Sequence, residues 1–208
     1  MKKNLILFLS ILCFSCNEEE KKSPGNDTPA KIETPKKVLP PITHYTVPDH
    51  SPMDMVYFPP DYPLLKMADR ISVPPFMRII YSRPQKENRE IFNGLVKYNM
   101  PWRLGANEST EIEFFSTATI QNKTIKAGRY ILYCVPQETK WTLVFNSNLY
   151  SWGLQQNQLK DVMKFEVPIE KNNAIIEYFT IAIEKRSEKT AEIIFLWDDV
   201  KAGLPVSF

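Results

Sequence analysis

The sequence is short of cysteine, histidine and glycine, and it has no marked excess of either charge. There are 3 cysteines in 208 residues. Cys13 and Cys16 fall in the opening apolar stretch, so only Cys134 is left for the body of the chain and no disulfide framework is expected. Cys134 lies in the apolar run from Tyr130 to Val135, the ordinary setting of an inert buried thiol, and a nucleophilic role there would need a neighbouring base. The 2 histidines, His44 and His50, stand in a proline-containing segment. Even beside Asp49 or Asp54 they match no compact ligand spacing, so neither a metal nor a cofactor is expected. Lys plus Arg number 26 against 24 Asp plus Glu, and Lys2 and Lys3 belong to the opening segment, which leaves the remainder formally neutral. With no positive field to gather phosphates, nucleic acid is not an expected partner. Missing too are a nucleophile elbow, a His-based triad and any repeat at a solenoid or propeller period.

What is present begins at the amino end. Lys2 and Lys3 precede an almost unbroken apolar run from Leu5 to Phe14. A bilayer-spanning helix needs about 20 apolar residues, so this run is too short for an anchor and suits a signal peptide over residues 1–15. It ends at Ser15-Cys16, a small residue before a cysteine, and resembles the lipobox of bacterial lipoproteins, in which the cysteine thiol takes a diacylglyceryl group. The usual Leu three places before that cysteine is here Cys13, with Leu12 one place further back. The resemblance implies lipidation at Cys16 and attachment to a membrane through that lipid. The alternatives are a secretory signal cleaved nearby and a buried helix, and the charge asymmetry argues against the helix. Asn17-Glu18-Glu19-Glu20 resembles the signal that sends Bacteroidota lipoproteins to the outer face of the outer membrane; a solvated charge run gives the same residues.

Residues 16–52 form the expected lipidated terminus and disordered linker, because recurrent prolines mixed with Lys, Glu, Asp and Thr cannot bury enough apolar surface to order the chain. Residues 53–208 form the expected folded domain. Hydrophobic residues at 43% and aromatics at 12% supply a core. Residues 53–75 combine apolar side chains with five prolines, which disfavour a long helix or a central strand, and read as an extended arm against the domain. Short runs rich in β-branched and aromatic residues follow at 77–83, 110–115, 130–135, 141–146, 162–167, 175–184 and 191–197. Turn signals separate them, including Lys171-Asn172-Asn173 before Ile175. Alternation over 175–184 puts Phe179, Ile181 and Ile183 on one buried face. The fold class expected is all-β, an antiparallel β-sandwich with short helical connections at 89–96 and 157–163.

Two connections carry more functional-looking side chains than a loop requires. Arg83, Arg89 and Arg103 offer guanidinium forks for a carboxylate or phosphate. Trp102 and Trp152 offer stacking faces for a sugar or other ring, and Asn107 and Glu108 directional hydrogen bonds. The same residues would also be found in loops that cover the end of a sandwich, with arginines answering buried carbonyls or pairing with Glu108.

On Tyr81-Ser82-Arg83-Pro84, Arg89-Glu90-Ile91-Phe92, Trp102-Arg103-Leu104-Gly105-Ala106-Asn107-Glu108, Ala127-Gly128-Arg129-Tyr130, residues 141–146 and Trp152-Gly153, the chain resembles the bacterial family called domain of unknown function 2911, from about Ser51 to Phe208. Asn88 and Asn99 stand where that family commonly has glycine, and Asn is the next best residue at positive φ. The resemblance implies a compact β-rich domain in exported proteins and no established activity. Three functions remain open. One is a non-catalytic binding or envelope-interaction module for a small molecule or glycan. The second is a hydrolase pairing Glu108 with Asp198 or Asp199. The third is a structural envelope protein.

Overall fold

Strand after strand in this chain carries apolar side chains at every second position, and pairing those strands puts one face of each into a common interior. The computed structural model describes residues 49–208. The signal peptide, Cys16 and all but the last few residues of the linker expected above lie outside the described residues. The strands are β1 (Met53–Phe58), β2 (Met77–Ser82), β3 (Glu111–Phe114), β4 (Ala118–Ile120), β5 (Lys123–Ile125), β6 (Gly128–Pro136), β7 (Lys140–Asn146), β8 (Asp161–Lys185) and β9 (Thr190–Ser207). Their order is β1-β2-β3-β6-β7-β8-β9-β4-β5, and every pairing is antiparallel.

The long strand β8 makes the sandwich. Its first part pairs with β7, as in Phe165↔Leu143, and from Ile169 onward it pairs with β9 instead. One strand thus belongs to both layers. The layers meet through aromatic contacts: Trp141 with Phe195 at 6.4 Å, Phe114 with Phe208 at 6.2 Å, and Tyr81 edge-on to Phe179 at 5.8 Å between ring centroids. Just past β2, Pro84 O accepts from Phe179 N at 2.9 Å and Lys86 N donates to Glu177 O at 2.7 Å, so the end of β2 also crosses to β8. Met77, Ile79 and Tyr81 of β2, Trp141, Leu143 and Phe145 of β7, and Phe179, Ile181 and Ile183 of β8 all point into this interior. Full burial of each such side chain stabilises the fold by about 1.5–3 kcal/mol.

The outer face of β6 and β7 is buried as well, at Ile131, Tyr133, Val144 and Asn146. The connection 147–160 folds back against these strands. Its base is tied by the Asp161 carboxylate, which accepts from the Tyr133 hydroxyl at 2.9 Å and the Asn146 amide at 2.7 Å and pairs with Lys164 at 2.9 Å. Further along, the Tyr150 ring lies 5.4 Å from the Arg129 guanidinium.

Several elements differ from the sequence reading. The arm is itself a strand, β1, paired along its whole length with β2, and behind it residues Tyr62–Met67 form a short helix, α1, with proline in its first turn where a missing N–H costs nothing. The expected helix at 89–96 is a run of turns, because Asn88 and Asn93 take positive φ of 58° and 67° and interrupt any helical path. At 157–163 only a single 3-10 turn forms, Gln158–Lys160, capped by the Asn157 side chain, before β8 begins at Asp161. Lys171-Asn172-Asn173 does not end a strand: the chain runs through it within β8 at the cost of a register shift between Lys171 and Ile176. The hairpin β4-β5 turns on Gln121 and Asn122, both at positive φ, as a two-residue hairpin requires.

Candidate functional site

The connection between β2 and β3 and the one between β7 and β8 meet at one end of the sandwich. Trp102 anchors the first: its backbone exchanges two hydrogen bonds with Cys134, of 2.7 and 2.8 Å, and its indole stacks on Trp197 at 5.6 Å and stands edge-on to Phe179 at 4.9 Å. Trp102 is therefore a half-buried plug of the aromatic core whose Nε1 donates to Gly105 O at 3.3 Å. Gly105 must be glycine, since a Cβ there would lie 2.9 Å from Ser82 O. The second connection docks through Gly153, at φ +83°, where a Cβ would meet the Arg103 Cβ at 2.9 Å and the Ser109 hydroxyl closer still. Ser109 Oγ lies 3.3 Å from Ser151 Oγ, and Arg103 donates to Trp152 O at 3.3 Å.

Between these loops lies a cleft of about 400 Å³ whose lining includes Arg89, Leu95, Pro101, Trp102, Arg103, Leu154 and Trp197. The sequence-stated residues divide here. Arg89, Trp102 and Arg103 line the cleft. Arg83 does not: it is held by Asp54 at 3.2 Å, Thr180 Oγ1 at 3.0 Å and Phe179 O at 3.4 Å, and it buttresses β1 and β8. Asn107 fastens the start of the described chain, donating to the Asp49 carboxylate at 2.8 Å. Glu108 is exposed and apart from the cleft lining. Trp152 is 58% exposed and contributes its carbonyl to Arg103 rather than a wall of the cleft. The carboxylates of the hydrolase reading are separately engaged, Asp198 by Lys86 at 2.8 Å and Asp199 by Lys171 at 2.6 Å. Leu95, Pro101, Leu154 and Trp197 were not singled out in the sequence; Gly153 beside Trp152 was the available signal for the second wall.

Charge balance separates the arginines. Arg78 pairs with Glu113, Arg83 with Asp54, Arg129 with Glu111 and Arg186 with Glu192. Arg89 is oriented instead by backbone, donating to Lys86 O at 2.9 Å and to Gln85 O, with Glu87 at 3.9 Å in solvent. Arg103 has no carboxylate partner among the described residues, and burial pulls its pKa below the ordinary value. Two guanidiniums held by carbonyls face a cleft floored by indoles, leaving their charge available to an incoming anion.

Residues 71–206 match the family described as protein of unknown function (DUF2911). The chain belongs to this family. All of the cleft lining except Ser51 lies inside the matched segment, so the site is built from DUF2911 residues proper. Asn88 and Asn99 have φ of 58° and 60°, a conformation that glycine adopts without strain and asparagine tolerates better than most residues. No curated protein and no solved structure matches the chain. Among the described residues, no group of three or more His, Cys, Asp or Glu could hold a metal ion, and no helix is long and apolar enough to cross a membrane.

Proposed function

We propose that this protein is a lipid-tethered component of the bacterial cell envelope whose DUF2911 domain is a non-catalytic recognition module, binding a small acidic molecule or acidic glycan unit in the cleft at the end of the sandwich. The observation that carries the reading is Arg103: a half-buried guanidinium in a concave, indole-floored site, lacking a carboxylate partner among the described residues. Burying a cation without an acid is costly, and a bound anion offsets that cost. The leader ending at Cys16 supports the tether, and the acidic cluster Glu18-Glu19-Glu20 supports display on the outer face of the outer membrane.

The test titrates the full chain with glucuronate and galacturonate against the neutral parent sugars, in wild type and Arg103→Ala. Acidic sugars bind and neutral ones do not. The substitution weakens binding by roughly 10- to 100-fold, as expected for loss of a hydrogen bond to a charged group, while the unfolding midpoint is kept. Equal affinity in both proteins, or an Arg103→Ala chain that no longer folds while wild type binds no acidic probe, would reduce the cleft to a structural junction. Labelled palmitate entering wild type but not Cys16→Ser checks the tether.

A further inference from the structure

The connection 147–160 leaves an unusual amount of apolar side chain in water. Leu159 is 96% exposed, Tyr150 86%, Leu154 74% and Trp152 58%. These residues are held on a frame: Ser147 N donates to Lys160 O at 2.9 Å across the base of the connection, Gln156 Nε2 donates to Gly153 O at 3.2 Å within it, and Gly153 is pressed against Arg103 and Ser109. Because the connection covers the outer face of β6 and β7, side chains that do not meet Ile131, Tyr133 or Val144 point away from the sandwich. Tyr150 is held at φ +63°, uncommon for a bulky residue, and its ring rests on Arg129 instead of entering the core. Val162 and Lys164 of β8 continue this outward surface, since Met163 and Phe165 between and beyond them face the interior. An exposed apolar surface of this kind marks contact with another protein or with a membrane.

The charges decide between the two. From Thr139 to Lys160 the chain has no Asp or Glu. On the face around the connection each acid is answered by a base, Glu166 by Lys140, Glu111 by Arg129 and Asp161 by Lys164. Lys160 is exposed and has no acidic partner among the described residues. We infer that the connection 147–160 is a membrane-docking surface: Tyr150, Trp152, Leu154 and Leu159 enter the boundary between headgroups and acyl chains of a bilayer containing anionic phospholipid, and Lys160 meets the phosphates. Tyr and Trp suit that depth, each having an apolar body and a polar end. A sugar polymer would stack on the two rings but gain little from Leu154 and Leu159, which offer no flat face. Docking through this surface needs no lipid on Cys16, and it is separate from anion binding at Arg103, although Leu154 also borders that cleft.

The experiment mixes the full chain with vesicles of phosphatidylethanolamine and phosphatidylglycerol that carry brominated acyl chains, and reads tryptophan fluorescence. Trp141 and Trp197 are buried and Trp102 half-buried, so quenching by bromine reports Trp152. Quenching appears together with a blue shift, is absent in Trp152→Phe and persists in Cys16→Ser. Tyr150→Asn combined with Leu159→Gln lowers the ratio of inserted to free connection by roughly tenfold or more, as loss of such buried side chains requires. The unfolding midpoint is kept, because asparagine tolerates positive φ and Leu159 lies in water. Lys160→Gln lowers the ratio roughly fivefold on these vesicles and leaves it unchanged on phosphatidylcholine. A chain that sediments with the vesicles while Trp152 stays unquenched would overturn the assignment, as would quenching that vanishes in Cys16→Ser or is untouched by the double substitution. So would a blue shift produced without lipid, by a soluble acidic polysaccharide or by raising the protein concentration, which would make the surface a glycan platform or a contact between copies.

Discussion

Gly153 offers the sharpest test of how the cleft is assembled, because one methyl group placed there acts in two separable ways. At φ +83° any L-residue incurs backbone strain of about 1–2 kcal/mol. Its Cβ would also press on the Arg103 Cβ at 2.9 Å and more closely on Ser109 Oγ, and Ser109 is 5% exposed and cannot swing into solvent. Overpacking of that kind costs about 1–3 kcal/mol. Gly153→Ala should therefore lose roughly 2–5 kcal/mol, read as a fall of about 1–3 M in the urea midpoint for a domain of this size. The two contributions come apart in a double-mutant cycle. In a Ser109→Ala background the nearest clashing atom is gone, only the backbone strain and the softer Arg103 contact remain, and Gly153→Ala becomes less damaging by about 1–2 kcal/mol. If the two substitutions add within about 0.5 kcal/mol, the connection 147–160 is not docked on residues 103–109, and the cleft as described does not exist.

Two further outcomes follow from buried polar groups. Burial, above all, pushes the Tyr81 hydroxyl up to about 12 from the usual 10.0; a raised acid pKa means that the neutral form is favoured in the fold, so this stability is fully present below pH 10 and lost as pH climbs towards 12. The loss amounts to about 2–3 kcal/mol, and Tyr81→Phe should flatten that part of a stability profile measured by urea unfolding at successive pH values, leaving the dependence due to Tyr133, whose pKa is raised by burial and by Asp161, and to the Cys134 thiol, which burial also pushes up. Asp161→Ala takes the acceptor away from Tyr133, Asn146 and Lys164 together and should cost about 2–4 kcal/mol, as a buried charge-assisted hydrogen-bond group does. Limited proteolysis should then cut first within residues 147–160, and a stable variant cut elsewhere would show that Asp161 does not hold that connection.

How much of this was legible beforehand depended on whether a feature is local. The strand at 175–184 was readable because Phe179, Ile181 and Ile183 alternate onto one buried face, and a period of two is a property of neighbours in sequence. β1 was harder: it is an edge strand in which only Phe58 is fully buried, so its alternation is faint, and its prolines fall just beyond its end. Lys171-Asn172-Asn173 has the composition of a turn, yet pairing on both sides with β9, at Lys171↔Val200 and Ile176↔Asp198, outweighs local preference and leaves a bulge. At 89–96 the apolar spacing of Ile91, Leu95 and Val96 imitates a helix, while Asn93-Gly94 breaks it; Gly94 sits so close to Glu90 O that no side chain fits.

The candidate site shows the same limit in chemical form. Arg83, Arg89 and Arg103 are alike as residue types, and their sequence neighbourhoods gave no reason to separate them. What separates them is the partner that pairing brings into reach. β1 lies beside β2 in a register that sets Asp54 opposite Tyr81, within 3.2 Å of Arg83, so that guanidinium is neutralised and becomes part of the frame. Arg103 meets instead the carbonyl of Trp152, delivered by a connection nearly fifty residues further along the chain. A carbonyl orients a guanidinium without cancelling its charge, and a carboxylate does both. Which guanidiniums this domain leaves without a carboxylate is thus set by which strands become neighbours, and any single change that shifts the β1–β2 register should free Arg83 while leaving Arg103 as it is.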